Sequence, residues 1–162
     1  IVFNRGRTKL VNATKLAPAQ RKEIAEKDLA RWTLKAKDSL TAYQLLLKEN
    51  ILNDAAFNLH QATERYFVAI QLVFTRYNPK THDIHKLSNL VAHFGFDIHD
   101  IFPQDSEEEK NLFELLRRSY IDARYSSNFV ITKKELRILA KRVQRIGTEI
   151  EKLCRKRIAE MT

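Results

Sequence analysis

Glycine and proline interrupt regular structure more than any other residues, and this chain has three of each in 162 residues. Sheets and long loops need frequent turn residues, so the scarcity favours long helices joined by few breaks. Pro18 fits the first turn of a helix, where its missing N–H leaves no partner unsatisfied. From there to Glu49 the chain holds helix formers and neither breaker. Leu29, Trp32, Ala36, Leu40, Tyr43 and Leu47 recur at steps of three and four, which builds one apolar stripe. Asn50 is a stop, and Asn53 or Asp54 can cap a second helix running to about Tyr77. Its stripe contains several alanines, which allow a neighbouring helix to approach closely. Asn78-Pro79 ends it.

Thr81 and Asp83 are cap residues for a shorter helix, Ile84 to Phe94, closed by Gly95. After an irregular connector, Ser106-Glu107-Glu108-Glu109 has the form of a capping box. It opens a helix expected to run to about Tyr125. A second box, Thr132-Lys133-Lys134-Glu135, opens the last helix. The expected fold is all-α: an up-and-down bundle of four long helices plus one short helix, over residues 18–162. Residues 1–17 read differently. Ile1-Val2-Phe3 and Thr8-Lys9-Leu10-Val11 flank Asn4-Arg5-Gly6-Arg7, the pattern of a short β-hairpin arm followed by a linker. With Ile1 first and the only methionine at Met161, a preceding portion is expected to be missing.

No run of about 18 apolar residues exists to span a membrane. Arg5, Arg7 and Lys9 break any signal-peptide core. The lone Cys154 cannot form an internal disulfide, which fits a reducing cytoplasm. The net charge of +9 favours a polyanionic partner such as RNA, a nucleotide or an acidic protein. Simple solubility explains the same excess equally well.

Four constellations carry chemistry. His60 and Glu64 are four apart on one helical face, suited to proton transfer or metal binding, although a histidine hydrogen-bonded within its helix is the simpler expectation. His82-Asp83-Ile84-His85, with His93 further on, has short histidine spacings but no cysteines and no HExxH pattern, so no metal is expected. The last helix is dense in Lys and Arg without interleaved aromatics, which describes a solvated face better than a base-stacking surface. The richest segment is Arg117-Arg118-Ser119-Tyr120-Ile121-Asp122-Ala123-Arg124-Tyr125. On a continuous helix Arg118, Asp122 and Tyr125 share a face flanked by Arg117 and Arg124. Arginine binds phosphate oxygens in pairs, and a tyrosine ring can stack on a base. The plainer alternative is an Arg118–Asp122 surface ion pair contributing little.

Three blocks together resemble the HEPN family: Ala55-Ala56-Phe57-Asn58-Leu59-His60-Gln61-Ala62-Thr63-Glu64-Arg65, Thr81-His82-Asp83-Ile84-His85-Lys86-Leu87, and Asp122-Ala123-Arg124-Tyr125. The resemblance implies a four-to-five-helix bundle, usually homodimeric, with its site in a cleft at the dimer interface. HEPN domains often follow, or are encoded beside, a minimal nucleotidyltransferase, and residues 1–11 look like the last strands of one. Many are metal-independent ribonucleases, some of them toxins of toxin–antitoxin pairs. Their signature is an arginine, four to six residues, a histidine, and often a tyrosine two positions on. Here Arg118 matches the arginine and Tyr125 the tyrosine, while Ala123 stands at the histidine position and cannot transfer a proton.

The expected function is therefore binding of a nucleotide or RNA phosphate by Arg65, Arg117, Arg118, Arg124 and Tyr125, without nuclease activity, in partnership with a nucleotidyltransferase and with no cofactor. One alternative is a ribonuclease with an atypical site using Arg118, Asp122 or His60. Another is a structural dimerisation module.

Overall fold

The computed structural model describes residues 16–162. The expected hairpin at residues 1–11 lies outside them. The described residues form six helices and a short 3₁₀ turn, with no strand among them: α1 Pro18–Lys48, α2 Leu52–Thr75, α3 Ile84–Ala92, the 3₁₀ turn Ile98–Asp100, α4 Glu107–Arg118, α5 Asp122–Tyr125 and α6 Lys133–Ala159. None of these helices is long and apolar enough to cross a membrane.

The central element is α2, which contacts every other helix. Its alanines 55, 56, 62 and 69 are fully buried. A column of small side chains lets α1 pack closely along α2, joined to it by the tight Glu49–Ile51 turn. Asn50 takes the left-handed conformation there, at φ 59°. That geometry suits asparagine better than most residues. On the other side α2 packs against α6, whose Leu136, Leu139, Val143, Ile146 and Ile150 are all fully buried. The Thr132 box that opens α6 is complete: Thr132 Oγ1 accepts from the Glu135 N–H (3.1 Å), and Glu135 accepts from the Thr132 N–H (2.8 Å).

Several expected details differ. The cap of α2 is Ile51, so Asn53 and Asp54 lie inside the first turn. At α4, Ser106 accepts from the Glu109 N–H (3.2 Å), but the Glu109 carboxylate does not reach back. It forms two hydrogen bonds with Arg142 of α6 instead, at 2.5 and 2.9 Å. A bidentate arginine outcompetes one backbone N–H for a carboxylate. The largest difference is that α4 stops at Arg118. Ser119 is buried, and its hydroxyl donates to the Leu115 carbonyl (2.6 Å). Such back-bonding bends helices. After a turn through Tyr120 and Ile121 the chain resumes as the single-turn α5.

Candidate functional site

The break between α4 and α5 makes one wall of a cleft of about 340 Å³. Arg117, Arg118, Tyr120 and Asp122 line it, together with His82 and Asp83 from the segment leading into α3. Asp83 is the N-cap of α3, accepting from the backbone of His85 (3.0 Å) and Lys86 (3.4 Å). This cap fixes the backbone beside His82 and explains Asp83 without a metal. Among the described residues no group of three or more His, Cys, Asp or Glu side chains is arranged to hold a metal ion.

The two arginines are oriented by neighbours on their own segment. Arg118 Nε donates to Asp122 Oδ2 at 2.6 Å, which leaves its terminal amino groups without a protein partner among the described residues. Arg117 makes a bidentate pair with Glu114, at 2.9 and 2.8 Å, and its guanidinium holds the Glu114 carboxyl below the usual carboxylate range. Both pairs are half exposed and contribute little to stability. Their effect is to orient two cations toward one opening.

Opposite them, His82 stacks on Tyr120, with ring centres 4.5 Å apart and planes within 13°. Its Nδ1 lies 3.0 and 3.1 Å from the two oxygens of Glu64 on α2. The sequence pairs Glu64 with His60, four residues back on the same helix. In the structure His60 Nδ1 is 3.9 Å from Glu64, too far for a hydrogen bond. Both residues of the His82–Glu64 pair stand in singled-out motifs, but nothing in the spacing joins them.

His60 itself is fully buried, and neither ring nitrogen has a hydrogen-bond partner. Burial pushes its pKa down to about 4, with the nearby His82 backbone offsetting part of the effect. It is neither the hydrogen-bonded histidine expected nor a residue that substrate can touch.

Three more expected site residues lie elsewhere. Arg65 turns toward α1, donating to the Lys35 carbonyl (2.8 Å) and to Ser39 Oγ (2.5 Å). It ties α2 to α1 and does not line the cleft. Arg124 donates from Nε to the Tyr120 carbonyl (2.7 Å), and its guanidinium lies 4.5 Å from the Phe57 ring centre and 4.7 Å from that of Tyr120. It supports the back of Tyr120 through cation–π contact. Tyr125 is 77% exposed and outside the cleft, because the helix break removes the shared face expected for Arg118, Asp122 and Tyr125. Ala123, at the position of the family histidine, is buried in the core.

The sequence matches the HEPN domain family over residues 29–153, and the chain belongs to that family. The family is generally linked to RNA binding or nuclease roles, and its members often form dimers. Comparison with curated proteins returned none that matches the chain.

Proposed function

We propose that this HEPN domain binds the phosphates of RNA, or of a nucleotide, in the cleft between the α4–α5 break and the start of α3. The observation that carries the reading is the convergence of Arg117 and Arg118 with the stacked His82–Tyr120 pair around one opening. Cations with unpartnered N–H groups meet phosphate oxygens, and a flat aromatic surface beside them accepts a base. The net charge of +9 adds long-range attraction for a polyanion. The arginine motif contributes binding alone, since Ala123 is buried and moves no proton.

Dimerisation belongs to the same proposal. Ile121, Tyr125 and Val130 stand exposed on and after the α4–α5 turn, at 58, 77 and 75%. A second copy packed there would cover them and deepen the cleft. Partnership with a minimal nucleotidyltransferase is the third element, and the family resemblance supports it.

The test is titration of a fluorescent single-stranded oligoribonucleotide at two salt concentrations. Arg118→Ala should weaken binding by roughly 5- to 100-fold and lower the salt slope by about one. Arg65→Ala should bind like the parent. Equal loss in both variants, or none in Arg118→Ala, would overturn the cleft assignment.

A further inference from the structure

At the end of the bundle where α1 begins and α2 and α6 finish, a second cavity of about 360 Å³ opens between the three helices. Glu64, which holds His82 at the cleft, and Thr75, which lines this cavity, are eleven residues apart on α2, about 16 Å along its axis. No residue lines both openings. Each helix contributes one arginine to the second: Arg21 from the first turn of α1, Arg76 from the C-cap of α2 and Arg157 from the last turn of α6. None of the three forms an ion pair among the described residues. Glu160 is the one acidic side chain in the lining, against three guanidinium groups. Two of the placements are locally unfavourable. Arg21 stands at the positive end of the α1 dipole, where a cation is repelled. Arg76 holds φ 58°, a left-handed backbone that favours glycine or asparagine. Three like charges around one opening add mutual repulsion. An anion between them turns both electrostatic terms favourable. Local choices that conflict with the fold in this way concentrate at functional sites.

We propose that this cavity binds a short phosphate chain, two or three linked phosphoryl groups, between Arg21, Arg76 and Arg157. A guanidinium presents paired N–H donors matched to phosphate oxygens, and three of them on three helices can engage successive phosphoryl groups. The cavity has room for more than one such group. The positive end of α1 adds to the attraction. The lining offers no platform for a base. Its one aromatic ring, Phe74, is already stacked on Phe94, with ring centres 4.6 Å apart. The same ring carries the Arg157 guanidinium 5.7 Å from its centre, which helps to hold that arginine in place. The cavity therefore reads the phosphate chain and not what is attached to it. An inorganic triphosphate and a nucleoside triphosphate should bind alike. The site holds its ligand without making or breaking a bond, and it does not depend on the reading of the cleft.

The plainer alternative is that Arg76 and Arg157 only complement the C-terminal ends of their helices and stay solvated. Calorimetric titration and thermal unfolding of the full chain with sodium tripolyphosphate, in EDTA and at constant ionic strength, separate the two. Both are repeated in Arg118→Gln, so that binding in the cleft is not counted. Either chain should take up tripolyphosphate in this cavity and gain roughly 5–10 °C in Tm at about 100 times the Kd. Arg21→Gln and Arg157→Gln should each weaken that binding by about tenfold or more. Arg76→Gly, which relaxes the left-handed backbone, should leave the free protein folded and weaken binding by as much. Adenosine triphosphate should match tripolyphosphate within about threefold, and adenosine should not bind. A tripolyphosphate effect no larger than that of sulfate at the same ionic strength would overturn the proposal. So would binding that survives all three variants, or that is lost in Arg118→Gln. Binding of adenosine triphosphate without tripolyphosphate would overturn it too. Loss of single-stranded RNA binding in the three variants, with tripolyphosphate binding intact, would assign the arginines to RNA instead. The oligoribonucleotide titration of Arg118→Ala is independent of these outcomes, so either reading can fail alone.

Discussion

Replacing the buried His60 by leucine should make the domain more stable, not less. His60 is 0% exposed and neither ring nitrogen finds a partner. Each buried unsatisfied polar group costs about 1–3 kcal/mol. Leucine fills a similar volume without that cost and loses only the ring contact with Tyr120, centred 5.2 Å away and amounting to about 1 kcal/mol. With both ring nitrogens unsatisfied, the net gain at neutral pH should be about 1–5 kcal/mol, or roughly 2–20 °C in Tm for a domain of this size. Acid should widen the difference. The folded pKa lies near 4, below the ordinary value of 6.5, so between those values the unfolded chain binds a proton that the folded chain refuses. Stability of the parent from this group is therefore intact above pH 6.5 and declines as pH falls toward 4. The loss reaches about 3 kcal/mol there at 1.36 kcal/mol per unit. His60→Leu has no such decline. Urea unfolding followed by Trp32 fluorescence at several pH values between 7.5 and 4 measures both effects. A variant less stable than the parent at pH 7.5, with a gap that stays constant toward pH 4, would refute the reasoning and return His60 to the list of working residues.

Two further expectations probe the packing. Gly147 on α6 faces the buried Tyr66 ring so closely that a Cβ there would lie 2.7 Å from its hydroxyl oxygen and 2.8 Å from Cε1. Gly147→Ala should thus destabilise by about 1–3 kcal/mol, against the stabilisation of up to about 1 kcal/mol that helix propensity alone would give; a raised Tm would show that the ring moves freely. Burial pushes the Cys154 thiol up to about 12, so the native protein at pH 8 should resist thiol reagents and react only in denaturant. Full labelling of the native protein within minutes would contradict the burial.

The long helices and most of their starts were legible in the chain order. Pro18, Asp83, Gly95 and Thr132 act within one turn of where they stand, and the apolar stripes repeat every three or four residues. These are local effects, so the chain order displays them. The tertiary structure decided the rest, because it sets competitions between near and distant partners. Glu64 has His60 four residues away and His82 eighteen away, and the distant one wins its hydrogen bond. Glu109 leaves its own helix start for Arg142, and Arg65 turns to a carbonyl of α1. The α4–α5 break has no glycine or proline to announce it; it falls at Ser119, which is buried in the folded chain. That break separates Tyr125 from Arg118 and opens the cleft in which Arg118 meets His82. The arginine was legible in the sequence, whereas the histidine beside it was brought there by packing α3 and α4 against α2.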